Sequence, residues 1–411
     1  MYILYQLLIS LVSLFLRLIA LVNPKIKLFV TGRSNTFKTL EKNIAKTDKV
    51  IWIHAASLGE YEQGLPIMER LKTEYPSHKI LLTFFSPSGF EIKKNTPAAD
   101  VVTYLPMDSK NKVERFLTLA HPVLAIFIKY EIWPNYLKAL GAKNIPTLLI
   151  SSLFKRNQAY FKWYGSFMRK ALRYFTHFYV QNENAKALLH SIGFDNVTIA
   201  GDTRLDRVFE ILSRDNSIAF MDDFNKGKIC FVAGSTWSED EKLLVQYINN
   251  TENDLKYVIA PHNINEAHSK SLLKVLKKPT VLYSDLASQI IQDFDVLILD
   301  TIGLLTKVYS YADVAYVGGA FATGLHNTLE PAVFGIPVII GPNYTGFMEA
   351  ENLVKLGGVL SIDNQEGLDK TLDGLINHES RRETTGAINV NYITNNKGAS
   401  VQIMDHIRRL L

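Results

Sequence analysis

Cysteine is nearly absent: Cys230 is the only one in 411 residues. One thiol can neither close an intrachain disulfide nor assemble a zinc set, so both kinds of small-domain staple are excluded. Its place in the apolar run Ile229-Cys230-Phe231-Val232 reads as core packing rather than as a nucleophile, and a reducing cytoplasm is the default compartment. No Walker sequence and no nucleophile elbow occurs, and no G-x-G-x-x-G follows the first strand pattern. His262 and His268 lack carboxylates at zincin spacing, so neither a metal nor a cofactor is expected. Internal repeats and low-complexity segments are also missing.

What is present is a long, apolar chain. Apolar residues make up 47% of it and charged residues 21%, and its length exceeds what one core ordinarily organises, so two domains are expected. The net charge of +5 suits an acidic or phosphorylated substrate or an anionic membrane face; nucleic acid is not expected as a partner.

Charge is missing altogether from Met1 to Leu16; Arg17 follows, and Leu18 to Val22 resume the apolar run. Residues 1–22 are about one bilayer core of helix. A signal peptide carries its positive charge first, whereas here Lys25, Lys27, Arg33 and Lys38 come after, and Asn23-Pro24 stands where a small-residue cleavage site would be. The segment is expected to be an anchor helix with the body of the protein on the cytoplasmic side. Whether it spans the bilayer or lies in one leaflet stays open, as does the plainer alternative of a buried amphipathic helix.

From Val50 onward, short β-rich runs alternate with longer helical patterns, the signature of parallel sheets. Strands are expected at 50–54, 80–84, 101–104, 124–128, 147–150, 177–180 and 197–200, then at 228–232, 256–259, 281–282, 296–299, 314–317 and 338–340. The polar stretch at 213–228 is expected to link an N-terminal Rossmann-like domain (23–212) to a C-terminal one (229–395). A final helix within 396–411 could cross back. In such sheets ligands bind past the carboxyl ends of strands, so the strand ends are where chemistry is sought.

After the first strand come Ser57, Gly59 and Glu60. A carboxylate at a helix start is stabilised as the anion, so Glu60 is either a proton acceptor or merely a cap. After 124–128 come Lys129, Tyr130 and Glu131, and Glu131 could equally be the partner of Lys129 in a structural ion pair. Ser86 follows another strand. In the second half, Gly234-Ser235-Thr236 can offer backbone N–H groups and hydroxyls to a phosphate. Gly318-Gly319 lets a nucleotide approach the backbone, and His326 and Glu330 are candidate ligand contacts.

These residues form blocks. Trp52-Ile53-His54-Ala55-Ala56-Ser57-Leu58-Gly59-Glu60 and Tyr130-Glu131-Ile132-Trp133-Pro134 come first. Gly201-Asp202-Thr203-Arg204, Ala233-Gly234-Ser235-Thr236, Asp300-Thr301-Ile302-Gly303 and His326-Asn327-Thr328-Leu329-Glu330-Pro331 follow in order. The pattern resembles the bacterial 3-deoxy-D-manno-octulosonic acid (Kdo) transferases over nearly the whole chain. The resemblance implies an α/β, GT-B fold: two doubly wound Rossmann-like domains facing a central cleft, plus the anchor helix. It implies metal-independent, inverting transfer from CMP-Kdo to a lipid A precursor, at the cytoplasmic face of the inner membrane and in contact with its lipid.

Carried over by position, Glu60 matches the general base and Glu131 a second functional acid, with Ser57, Gly59, Ser86 and Lys129 on the acceptor side. Gly234, Ser235, Thr236, Pro261, His262, Ile302, Gly303, Leu304, Gly319, His326, Asn327, Thr328, Leu329 and Glu330 fall on the side that holds CMP. Three segments depart from the pattern. Pro261-His262-Asn263 stands for Pro-Arg-His, Leu304 for a Glu, and Asp202 for the Asn of Gly-Asn-Thr-Arg. The alternative is a transferase or epimerase of similar fold that uses a UDP-sugar.

Overall fold

Runs of β-branched and aromatic residues too short for helices become strands buried on both faces. The first, β1 (Lys49–Ala55), buries six of its seven residues. In the computed structural model, which describes residues 1–322 and 324–411, β1 is joined by β2 (His78–Phe84), β3 (Val101–Tyr104), β4 (Pro122–Ile128), β5 (Thr147–Ser152), β6 (His177–Val180) and β7 (Val197–Ile199). They form a seven-stranded parallel sheet in the order β3-β2-β1-β4-β5-β6-β7. Side chains alternate between its faces. Val50 and Trp52 enter one cluster with Phe116, Phe127 and Tyr136, while Ile51 and Ile53 enter another with Leu82 and Ile126. The indole of Trp52 still finds a partner, donating to Thr83 Oγ1 at 2.8 Å.

The second sheet holds β8 (Cys230–Thr236), β9 (Lys256–Pro261), β10 (Thr280–Leu282), β11 (Val296–Ile298), β12 (Val314–Val317), β13 (Val338–Ile340) and β14 (Val359–Ser361). Its order is β10-β11-β9-β8-β12-β13-β14, again parallel. Cys230 is fully buried in it, and burial pushes its thiol far above the usual range, which suits packing and not attack. The expectation omitted β14: its three residues follow Gly357-Gly358, and pairing with β13 rather than local pattern makes it a strand.

The chain divides into two units, Met1–Asp206 with Lys397–Leu411, and Arg207–Asn396. The division falls upstream of the polar stretch 213–228. Part of that stretch is a helix, Ala219–Asn225, whose Met221 and Phe224 are fully buried in the second unit. Polar composition concealed an i, i+3 apolar pair. The helix Ala399–Leu410 belongs to the first unit: Asp206 accepts from the N–H groups of Gly398 and Ser400, and Ile403, Met404 and Ile407 pack beneath the sheet.

Three helices precede β1: α1 (Tyr2–Ile19), α2 (Pro24–Ser34) and α3 (Thr36–Asn43). Of these, α1 is long and apolar enough to cross a membrane, yet its exposed face is the apolar one. Leu4, Leu7, Leu8, Leu11, Phe15 and Leu18 are exposed, whereas Tyr2, Tyr5, Gln6 and Ile9 turn toward the domain. Tyr5 donates to Asp108 Oδ2 at 2.6 Å and Gln6 to Asn135 Oδ1 at 2.6 Å. The buried-helix alternative fails on this exposure. Arg33, expected among the basic residues flanking an anchor, is buried instead. Its guanidinium donates to the carbonyls of Phe29 and Phe85 and lies over the Phe29 ring at 3.4 Å, and burial lowers its pKa to about 9.

Candidate functional sites in the two units

Each sheet is wound in both directions from an inner pair of strands, β1 and β4 in the first, β8 and β12 in the second. At such a switch point adjacent crossovers run to opposite sides and leave a crevice past the strand ends. Glu60 follows β1 and Glu131 follows β4. Ser235-Thr236 end β8, and Gly318-Gly319 follow β12.

Glu60 lies in the first turn of α4 (Leu58–Glu74), and its carboxylate accepts from the backbone N–H of Ala56. Only 8% of it is exposed. The helix-start argument alone expects an ordinary ionised carboxylate, and the structure overturns it. Burial, and then the charge of Glu131, push the pKa up to about 7, against the pull of the Ala56 and Ser57 N–H groups and of Lys129. The group is thus poised between acid and base near neutrality. Beside it Gly59 is exposed, and a Cβ there would meet nothing within 4 Å, so packing does not demand the glycine.

Glu131 has different partners from the Lys129 pair considered above. It accepts from the indole of Trp133 at 2.7 Å and faces His54 Nε2 at 3.1 Å, and His54 Nδ1 in turn lies 2.9 Å from the Thr83 hydroxyl. The Lys129 ammonium lies over the ring of Tyr130 at 5.3 Å, with its backbone in the left-handed region at φ 63°. Sequence reasoning treated His54 as a strand residue. It is fully buried on β1, where its imidazole orients the carboxylate from below. Ser57 occupies the cap position of α4, and its side chain makes no cap bond. Ser86 caps the helix Pro87–Lys93 by accepting from the Ser88 N–H at 3.2 Å, and its own N–H donates to Ala56 O at 2.8 Å. It braces the Glu60 turn from the end of β2.

In the second unit β8 runs through Thr236, four residues beyond the expected strand, with a register break at Ser235 (φ 54°). Thr236 is buried and gives its hydroxyl to Glu241 at 2.9 Å, so its phosphate-binding capacity is reduced to its backbone. Gly234 is a glycine for packing, since a Cβ would meet the Tyr309 hydroxyl at 2.0 Å. Gly319, at φ 96°, donates its N–H to Asp240 Oδ2 at 2.9 Å. Pro261 closes β9, and His262 just beyond it stacks on Trp237 and on His326, with centroids 4.8 and 4.3 Å apart. Ile302, Gly303 and Leu304 form a loop after β11, in which Ile302 is 88% exposed.

That loop is tied to the next segment. Glu330 accepts from Asn327 Nδ2 at 3.0 Å and from the Thr306 hydroxyl at 2.8 Å, while Asn327 Oδ1 caps the Leu329 N–H at 3.1 Å. A carboxylate has about four acceptor positions, so Glu330 keeps capacity for sugar hydroxyls. Leu329 is buried, and Thr328 is buried with a hydroxyl that finds no partner among the described residues. The Asp293-Phe294-Asp295 triplet is no metal motif by position: it lies before β11, at the opposite end from the site, with Asp295 3.7 Å from Lys256. Sequence reasoning missed Trp237, Asp240 and Thr306. The first two adjoin the Gly234-Ser235-Thr236 block, which was the signal available.

The comparisons with known proteins bear on the family and the fold. The family model described as 3-deoxy-D-manno-octulosonic-acid transferase (kdotransferase) matches residues 31–207. The 3-deoxy-D-manno-octulosonic acid transferase of Aquifex aeolicus is 30% identical over 79% of this chain and 86% of its own length. That of Haemophilus influenzae is 28% identical over 88% of this chain and 87% of its own. Among solved structures, the UDP-GlcNAc 2-epimerase of Neisseria meningitidis bound to UDP-GlcNAc superposes with a TM-score of 0.62 at 16% identity, covering 88% of this chain and all of that one. That likeness concerns the fold, which is of the GT-B kind; the transferase identity comes from sequence. With the switch-point carboxylates and the strand-end glycines in place, the chain belongs to the 3-deoxy-D-manno-octulosonic acid transferases, a family of glycosyltransferases.

Proposed function

We propose that the chain moves Kdo from CMP-Kdo to a hydroxyl of a lipid A precursor, with inversion and with Glu60 as general base. The observation that carries this reading is the Glu60 carboxylate itself: buried, fixed by the Ala56 N–H, and pushed up to about 7 at the switch point of its sheet. A base with that value takes a proton effectively near neutral pH. The acceptor oxygen attacks the anomeric carbon as its proton passes to Glu60. The bond from that carbon to the CMP phosphate breaks, and its electron pair leaves with CMP. Glu131, held by His54 and Trp133, raises the proton affinity of Glu60. In the second unit the Ser235 bulge would receive the phosphate, with the side-chain-free Gly318-Gly319 turn leaving it room, and Glu330 and Asn327 would take the ribose.

The apolar outer face of α1 would lie in the cytoplasmic leaflet of the inner membrane. Its inner face is bonded to the domain through Tyr5 and Gln6, which supports attachment along one leaflet rather than across two. Trp163, 91% exposed, and Tyr164 lie in a basic and aromatic segment whose Phe167 meets the Tyr5 ring, and would offer a second aromatic contact to the lipid.

The test is transfer from freshly made CMP-Kdo to a tetra-acylated lipid A precursor by membrane-reconstituted enzyme, with Glu60→Gln as control. Product from wild type alone supports donor, acceptor and base together, and the anomeric configuration of the product reports inversion. Turnover by Glu60→Gln at the wild-type rate removes the base. Turnover only with a UDP-sugar replaces the donor.

A further inference from the structure

Trp237 and His326 lie side by side in nearly one plane: their rings are 9° apart in tilt, with centroids at 6.5 Å, and the indole Nε1–H donates to His326 Nε2 at 3.0 Å. An indole nitrogen only donates, so His326 Nε2 must hold its lone pair, and the proton of the neutral ring sits on Nδ1. His262 is stacked over both rings. The pair is built in from below. Asp240, fully buried, accepts from the Trp237 N–H at 2.9 Å, the Gly319 N–H at 2.9 Å and the Tyr316 hydroxyl at 2.7 Å. One carboxylate thereby holds the Trp237 turn against the Gly318-Gly319 turn. A Cβ on Gly319 would come within 2.9 Å of the His326 ring, so that glycine is part of the same fit.

We propose that Trp237 is a positioning residue that locks His326 as a neutral Nδ1–H donor, and that this N–H is what the second unit offers to an anionic oxygen of the donor nucleotide. This rests on the CMP-sugar reading above. The neutral state fits the surroundings: burial, then the neighbouring His262, lower the His326 pKa to about 4. A cation is not available at this ring, because adding the second proton would break the indole bond. This ring would therefore meet the phosphate with a directed N–H in place of a charge.

The test uses the full chain in detergent, labelled with 15N-histidine, with His326 assigned through His326→Gln. Long-range proton–nitrogen correlation should show His326 as the Nδ1–H form, unchanged from pH 5 to 8, and saturating CMP should move its Nδ1–H resonance. Trp237→Phe keeps a ring but removes the donor. In it His326 should populate the Nε2–H form and titrate within that range, and the donor KM should rise about tenfold while kcat changes far less. Wild-type His326 in the Nε2–H form, or protonated near pH 6, overturns the lock. CMP that binds without moving His326 overturns the contact. Failure of CMP to bind at all, read by equilibrium dialysis, is a failure of the donor assignment, and the tautomer of the free enzyme then decides the lock by itself.

Discussion

Replacing Glu60 with Gln should abolish turnover and, above neutral pH, make the first unit more stable. The unfolded chain releases the Glu60 proton near 4.5, whereas the folded protein keeps it up to about 7. Between those values the folded state binds a proton that the unfolded state has lost, so stability falls as pH rises, and above about pH 7 the loss is complete. At about 1.4 kcal/mol per pH unit the gap is worth about 3 kcal/mol. Gln keeps the shape and can still accept from the Ala56 N–H, but it has no charge to desolvate. Urea unfolding followed by Trp fluorescence in detergent, with both proteins at pH 5 and pH 8, measures the difference. The variant should exceed wild type by up to about 3 kcal/mol at pH 8 and by little at pH 5. A variant no more stable than wild type at pH 8, or a gain as large at pH 5, refutes the account of the buried carboxylate.

The same electrostatics sets the acid limb of activity. In a pH profile of kcat/KM, wild type should rise through about pH 7; Glu131→Gln should move that limb lower and Lys129→Met should move it higher. Tyr5→Phe leaves Asp108, buried and accepting from the Asn135 and Tyr136 N–H groups, without its hydroxyl donor. It should cost about 1–3 kcal/mol in urea unfolding and expose the 19–24 turn to protease. Gly59→Ala should fold as wild type, since a Cβ meets nothing there, whereas at Gly318 a Cβ would come within 2.4 Å of the Ser235 carbonyl and 2.8 Å of Asp240. Gly318→Ala should therefore lower the melting temperature and weaken CMP binding in calorimetry.

The paired sheets were legible in the sequence because strands buried on both faces are written as short apolar runs, and all but β14 of the described strands appear that way. Glu60 and Glu131 were legible as carboxylates at strand ends within distinctive blocks. Their state was not. The partner of Glu131 comes from β1, 77 positions away, and no local pattern announces that His54 points at it. The chemistry assigned to Thr236 was altered by Glu241, five residues on, because a helix start folds back over the strand end.

By itself, then, the sequence determined the family and the alternation of strands and helices, and pointed to the edge of each sheet where chemistry is to be sought, since these depend on residue type and period along the chain. The tertiary structure alone decided which groups are charged. Glu60 is raised because its carboxylate is buried beside a second one, and His326 is lowered because its ring is buried beside His262. It also decided that α1 turns its apolar face outward, since only the docking of Tyr5 and Gln6 on the domain fixes which side of the helix is inside. Burial and orientation are properties of neighbours brought together from far apart, and no window along the chain contains them.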